Sequence, residues 1–183
     1  MRGGDEAVRR GRSSLAIDLA NTWDPYLHDP ELLPDRVSLQ RFLNTHGVDD
    51  TASKDSLRRC RAVRERLRDI LGAPTPTELV ARLNVLLGEV AEGTAIVRRR
   101  NGRWSLVPGQ PVRASLDRRL AALAASELTG LVTEVGPERI RQCQAAPCIE
   151  IFVDRSRNGR RVYCSRRCAN RVNASRHRRR GGR

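Results

Sequence analysis

Lysine is nearly missing from this chain: Lys54 is the only one among 35 basic residues in a length of 183. Aromatic residues are also scarce, at 3%. A core must therefore come from Leu, Val, Ile and Ala rather than from large rings. No apolar run approaches the roughly 18–20 residues that cross a bilayer, which excludes a spanning helix. A Gly-rich phosphate loop, a Ser-His-Asp set and a His-Glu metal motif are all absent. Histidine occurs three times, at His28, His46 and His177, never at the spacing of a ligand pair. These absences remove the common routes to catalysis, and the chain is expected not to be an enzyme. Met1 to Ser14 is basic and Gly-rich but has no apolar stretch before a cleavage site. We read residues 1–13 as a disordered start and expect a cytoplasmic protein.

Charge is present in excess, and its placement matters more than its size. The net charge is +14. Residues 137–183 hold 14 Arg against three acids, while the other 136 residues are nearly balanced. A local positive field of this kind suits a polyanion, because each phosphate it neutralises releases counterions. Arginine's planar fork grips phosphates and guanine edges. A GC-rich genome also replaces Lys by Arg, so the choice of Arg carries little weight alone.

The pattern along the chain predicts an α+β protein, mainly α. Leu15 to Thr22 reads as a short strand or a helix start, and Trp23 to Pro34 as a Pro-broken loop. Helices are expected from about Asp35 to Thr45, from Thr51 to Leu71, and from a Thr77 cap to Ala91. In the second of these, Leu57, Cys60, Val63, Leu67, Ile70 and Leu71 recur at helical steps, with Arg and Glu on the other face. Cys60 reads as core packing. Two β-prone arms around Asn101-Gly102 predict a hairpin, with Trp104 filling core. A last helix is expected from Val112 to Val135 before Gly136-Pro137 breaks the chain. The layout is thus a helical domain with one hairpin over 14–136, a small module over 137–180, and a tail over 181–183.

The remaining cysteines are Cys143, Cys148, Cys164 and Cys168. The spacing is Cys-x4-Cys, then 15 residues, then Cys-x3-Cys. Such pairs in a reducing compartment point to one structural Zn²⁺ rather than disulfides, and four thiolates leave no open position for chemistry. Ile149 to Tyr163 reads as strand, turn and strand, with Asn158-Gly159 at the turn. Cys164 and Cys168 then share a face at the start of a helix. This order of knuckle, hairpin and helix is a treble clef. A module of about 45 residues has little core and needs such a staple.

On the helix, Arg166, Asn170, Asn173, His177 and Arg180 fall on one face, and Arg and Asn read bases in the major groove. Arg167, Arg171 and Arg178 lie on a neighbouring face suited to phosphates. Arg155, Arg157, Arg160 and Arg161 crowd the turn. The alternative is a solvated basic face that balances the zinc–thiolate charge.

The stretch from Cys143 to Arg180 resembles the CGNR zinc-finger family. Cys168-Ala169-Asn170-Arg171 stands at its signature tetrapeptide, with Ala169 in place of Gly. The second cysteine pair is spaced by three residues where four are common. The Ser156 to Arg161 turn is similar too. Leu15 to Thr22 resembles the opening of the domain called ABATE, which normally precedes this finger. The resemblance implies a transcription regulator whose finger binds double-stranded DNA, so that the protein is nucleoid-associated when bound. It also implies an N-terminal domain that senses or docks a partner.

Asp18, Asn21 and Thr22 interrupt an apolar stretch. They either line a pocket for a small-molecule effector or serve structurally, as a cap or as partners of buried backbone. His28 and His46 are expected to be exposed. The competing function is an RNA- or protein-interaction module without DNA sequence specificity; only Phe152 and Tyr163 in the finger offer rings for base stacking. A nuclease would need a His in the Ile149–Tyr163 hairpin, and none is there. A homodimer would suit a palindromic target, though no heptad run specifies one.

Overall fold

Leu15–Ala20 forms a short helix, α1, in which every residue but Asp18 is buried. A helix apolar on nearly all sides belongs at the centre of a domain, and α1 sits there. The Glu127 carboxylate accepts from the Leu15 N–H at 2.7 Å. The computed structural model describes residues 14–90, 96–100, 103–107 and 114–181, with backbone alone for 96–100, 103–107 and 179–181.

Around α1 stand α2 (Arg36–Thr45), α3 (Lys54–Leu71), α4 (Pro76–Val90) and α5 (Leu116–Val135). Asp35 with Ser38, and Ser53 with Ser56, form reciprocal capping boxes that start α2 and α3. Gly47, at φ 62°, follows the end of α2. Helix α4 begins one residue before the expected Thr77 cap. Pro76 takes the first helical position, which needs no N–H, and Thr75 Oγ1 accepts from the Glu78 N–H at 3.2 Å. Helix α5 begins at Leu116, later than expected. Leu79, Leu83, Leu86, Leu120, Leu128, Leu131 and Cys60 join α1 in one core.

Helix α3 carries a second stripe that its apolar pattern concealed. Arg61, Arg64 and Arg68 recur at three- and four-residue steps and hold the Trp23–Pro34 loop. Arg64 is 4% exposed, and its guanidinium grips Glu31 at 2.6 and 2.9 Å. Arg61 donates to the carbonyls of Leu33 and Pro34. Arg68 donates to Ala20 O and lies over the Trp23 ring. Reading Arg as the solvent face is thus corrected for Arg64, whose Nε, Nη1 and Nη2 each donate to a carboxylate.

Strands β1 (Ile96–Arg100) and β2 (Arg103–Val107) pair antiparallel, Ile96 with Val107 through Arg100 with Arg103. The Asn101-Gly102 turn and the Trp104 side chain lie outside the described residues. After α5, Gly136 takes φ 85° and a 3₁₀ turn over Pro137–Arg139 leads to β3 (Ile140–Gln142), β4 (Ile151–Val153) and α6 (Arg166–Gly181). Ile140 and Ile151 belong to the main core. No described helix is long and apolar enough to cross a membrane.

Candidate metal centre and nucleic-acid interface

Strand β3 pairs with β4 in antiparallel register, Gln142 opposite Ile151. Cys143 and Cys148 lie in the loop between them. The Cys143 N–H donates to Glu150 O, and the Cys148 N–H to Ala145 O, both at 2.9 Å. Cys164 precedes α6 by two residues and Cys168 is its third residue. Ser165 Oγ accepts from the Cys168 N–H at 3.3 Å and so caps the helix.

All four Sγ atoms lie within 4.8 Å of one another, and all four residues are buried. Cys148 and Cys164 Sγ are 3.8 Å apart, and Cys164 and Cys168 Sγ 3.6 Å. Tetrahedral bonds of about 2.3 Å put neighbouring sulfurs about 3.8 Å apart, whereas a disulfide needs about 2.0 Å. The cluster therefore fits one zinc ion. Burial pushes the Cys148 thiol up to about 12, and it raises Cys164 as well. At Cys168 burial also acts upward, but hydrogen bonds from Ser165 and the neighbouring thiols outweigh it and bring the thiol down. A bound dication would replace the protons that such a buried set otherwise keeps.

The second hairpin strand expected over 160–163 does not form. β4 finds its partner in β3, and residues 154–164 close into a loop stapled by arginine. Asp154, 1% exposed, accepts from the Ser156 and Arg161 N–H groups, both at 2.9 Å. Burial pushes its carboxyl up, yet hydrogen bonds from the Ser156 hydroxyl and these two N–H groups hold it below the usual range. Arg139 donates to Ser156 O, Arg141 to Gly159 O and Arg161 to Tyr163 O. Gly159, at φ 60°, sits against the Arg139 guanidinium, where a Cβ would lie 2.7 Å from Cζ.

The arginines expected at a nucleic acid divide into two groups. Arg157, Arg160, Arg166, Arg167 and Arg178 are exposed, as are Asn170, Asn173 and His177. At about 100° per residue, Arg166, Asn170, Asn173 and His177 form a stripe roughly opposite Cys168 and Val172. The others are engaged. Arg155 lies 3.3 Å from Glu134. Arg161 also crosses the Phe152 ring. Arg171 donates to Ala145 O at 2.5 Å and stacks on Tyr26.

Asp18 in α1 and Asn21 and Thr22 just after it are engaged too. Asn21 Nδ2 donates to Ile151 O at 2.8 Å, and Asn21 Oδ1 accepts from the Ile151 N–H at 2.9 Å. The amide thus does for the edge of β4 what another strand would. Thr22 Oγ1 donates to Leu19 O at 2.7 Å. Asp18 lies 3.5 Å from His46 Nε2. His28 is exposed as expected, but His46 is 8% exposed, because it packs on Phe42 and reaches back to α1.

Two family models cover this arrangement. Residues 13–134 match ABATE, described as "Putative stress-induced transcription regulator". The chain belongs to the ABATE family. Residues 139–181 match the CGNR zinc finger, despite Ala169 and the shorter second spacing. No curated protein matches the chain.

In this member of the ABATE family a groove of about 540 Å³ runs between the two matched segments. Leu71, Pro74, Pro76 and Leu79 line one wall, and Glu138, Arg141, Gln144 and Val162 the other. No local pattern pointed to this groove, nor to Tyr26, Arg139, Arg141 and Asp154 as supports of the metal centre. Tyr26 contacts Ala145 across 119 positions, a separation that no local pattern encodes.

Proposed function

We propose that this regulator binds double-stranded DNA through the outer face of α6 and the Ser156–Arg161 turn. The observation that carries the reading is a set of five exposed arginines, Arg157, Arg160, Arg166, Arg167 and Arg178, beside Asn170 and Asn173. Among the described residues, no acidic side chain pairs with them. Arginine and asparagine at one helix face suit guanine and adenine edges, and the flanking arginines suit phosphates. Zinc at the four cysteines would be structural and would fix the helix against β3 and β4.

The test is affinity for a DNA duplex across a range of salt concentrations. Four phosphate contacts, from Arg157, Arg160, Arg167 and Arg178, would give a slope of roughly −3 to −4 in log affinity against log salt. A flat profile would overturn the reading. Footprinting on genomic DNA separates sequence-specific from general binding. An RNA-stacking module is less well supported, since Phe152 is buried beneath Arg161 and Tyr163 is partly buried against the cysteine cluster.

For an effector, the groove between the helical domain and the finger is the better place. Asn21 and Thr22 spend their hydrogen bonds inside the fold, and Asp18 faces His46. A ligand in the groove would touch both segments at once and so could alter how the finger presents α6.

A further inference from the structure

Arg171 occupies a position that DNA contact does not explain. Its guanidinium lies 4.5 Å from the Tyr26 ring centroid, 2.5 Å from Ala145 O and 3.9 Å from Cys168 Sγ. Tyr26 belongs to the loop after α1, and its hydroxyl donates to the same Ala145 carbonyl at 3.0 Å. That carbonyl lies between Cys143 and Cys148. Ala145 itself is fully buried. One guanidinium therefore ties the helix that carries Cys168, the loop that carries the first cysteine pair, and an aromatic ring of the helical domain.

A zinc ion with four thiolates carries a net charge of about −2, and an outer cation and N–H donors tune such a centre. Tyr26 covers one face of the guanidinium, and shielding that face from water would strengthen its attraction to sulfur. We propose that Arg171 is the counter-charge of the zinc–tetrathiolate, held in place by Tyr26, so that the helical domain completes the outer shell of the finger's metal centre. Arg171 and Tyr26 are positioning residues for zinc, and Arg171 is not a phosphate contact.

The experiment follows zinc transfer from the full-length, zinc-loaded protein to a chromogenic chelator. Arg171→Ala should release zinc about 10- to 100-fold faster, the usual range for loss of an outer-shell partner. Arg171→Lys keeps the charge but not the stack and should fall between. Tyr26→Phe keeps the ring and should be mild, whereas Tyr26→Ala should approach Arg171→Ala. Arg166→Ala, on the opposite face, should match the wild type. In the cobalt-substituted protein, the thiolate-to-metal charge-transfer band should shift in Arg171→Ala and move back in Arg171→Lys, which a general loss of packing would not produce. Wild-type release with an unshifted band in Arg171→Ala, and a fall in DNA affinity alone, would overturn the proposal. If Arg171→Ala does not fold, Arg171→Lys and Tyr26→Ala decide it: wild-type release in both overturns it.

Discussion

Among the described residues, Glu31 and Arg64 form the most deeply placed ion pair of the helical domain, with Arg64 4% exposed and Glu31 about a quarter exposed. Burial pushes the Glu31 carboxyl up, but hydrogen bonds from Arg64 and the Leu33 N–H outweigh it and hold it below its usual range. The pair's stability is therefore present above the unfolded carboxylate range, near pH 4.3, and is lost as pH falls through the lowered folded value. Glu31→Gln should cost about 1.5–3 kcal/mol at pH 7, as expected for hydrogen bonds to a charged group. Urea unfolding of both proteins at pH 7 and pH 3 checks this: the gap should narrow at the lower pH. An unchanged gap would mean that the loop is held by packing on Trp23 instead. Asp154 follows the same sign, since its carboxyl is also lowered. Asp154→Asn keeps the shape but turns one acceptor towards N–H groups as a donor. A loss of about 1–3 kcal/mol is expected, read as a lower melting temperature of the zinc-loaded protein.

At the scale of the element, α6 is anchored at one end only. Cys168, Arg171 and Val172 face the fold, whereas Asn173, Ala174, Arg176, His177 and Arg178 are exposed. A helix with so little apolar contact gains little from packing, and fraying should begin beyond Val172. Amide hydrogen exchange should show fast exchange from Asn173 onward in the free protein. Added duplex DNA should slow it if this half lies on the phosphates; equal rates with and without DNA would leave only the first two turns in contact. Such periodic features were legible in the sequence: the longer helices, the four sulfurs and the exposed stripe all follow from local spacing, whereas Leu15–Ala20 is too short to tell strand from helix. Strand pairing in the finger was not. Ile149 to Tyr163 has the alternation of a hairpin around Asn158-Gly159, but β4 pairs with the upstream Ile140–Gln142, and Asp154 turns the downstream arm into a loop. A three-residue strand such as β3 leaves almost no pattern to read. The same limit hid the roles of Asn21 and Tyr26, whose partners lie more than a hundred residues away. The charges of Arg61, Arg64 and Arg68 suggested solvent, although their spacing already placed them on one face.

On the scale of the whole molecule, the family boundary near 134–139 does not divide the core. Ile140 and Ile151 pack into the same cluster as Leu19, Leu67 and Leu128. Asn21 bonds both backbone groups of Ile151, and Tyr26 reaches the cysteine loop. Structural zinc contributes folding free energy only where the metal-bound state is the folded one, and here its segment shares side chains with the helical domain. Zinc removal should therefore weaken more than the finger. In calorimetry the zinc-loaded protein should melt in one transition whose midpoint falls when a chelator strips the metal. Two independent modules would behave otherwise, giving one zinc-dependent transition and one that ignores the metal. Asn21→Ala sharpens the comparison. It removes two hydrogen bonds and leaves the edge of β4 without partners, which should cost about 1–3 kcal/mol. With zinc bound, that variant should begin to separate into two transitions, because the mutated contact joins the segments without touching a ligand. A single transition shifted downward would show instead that the shared Ile140 and Ile151 contacts suffice to keep the two parts cooperative.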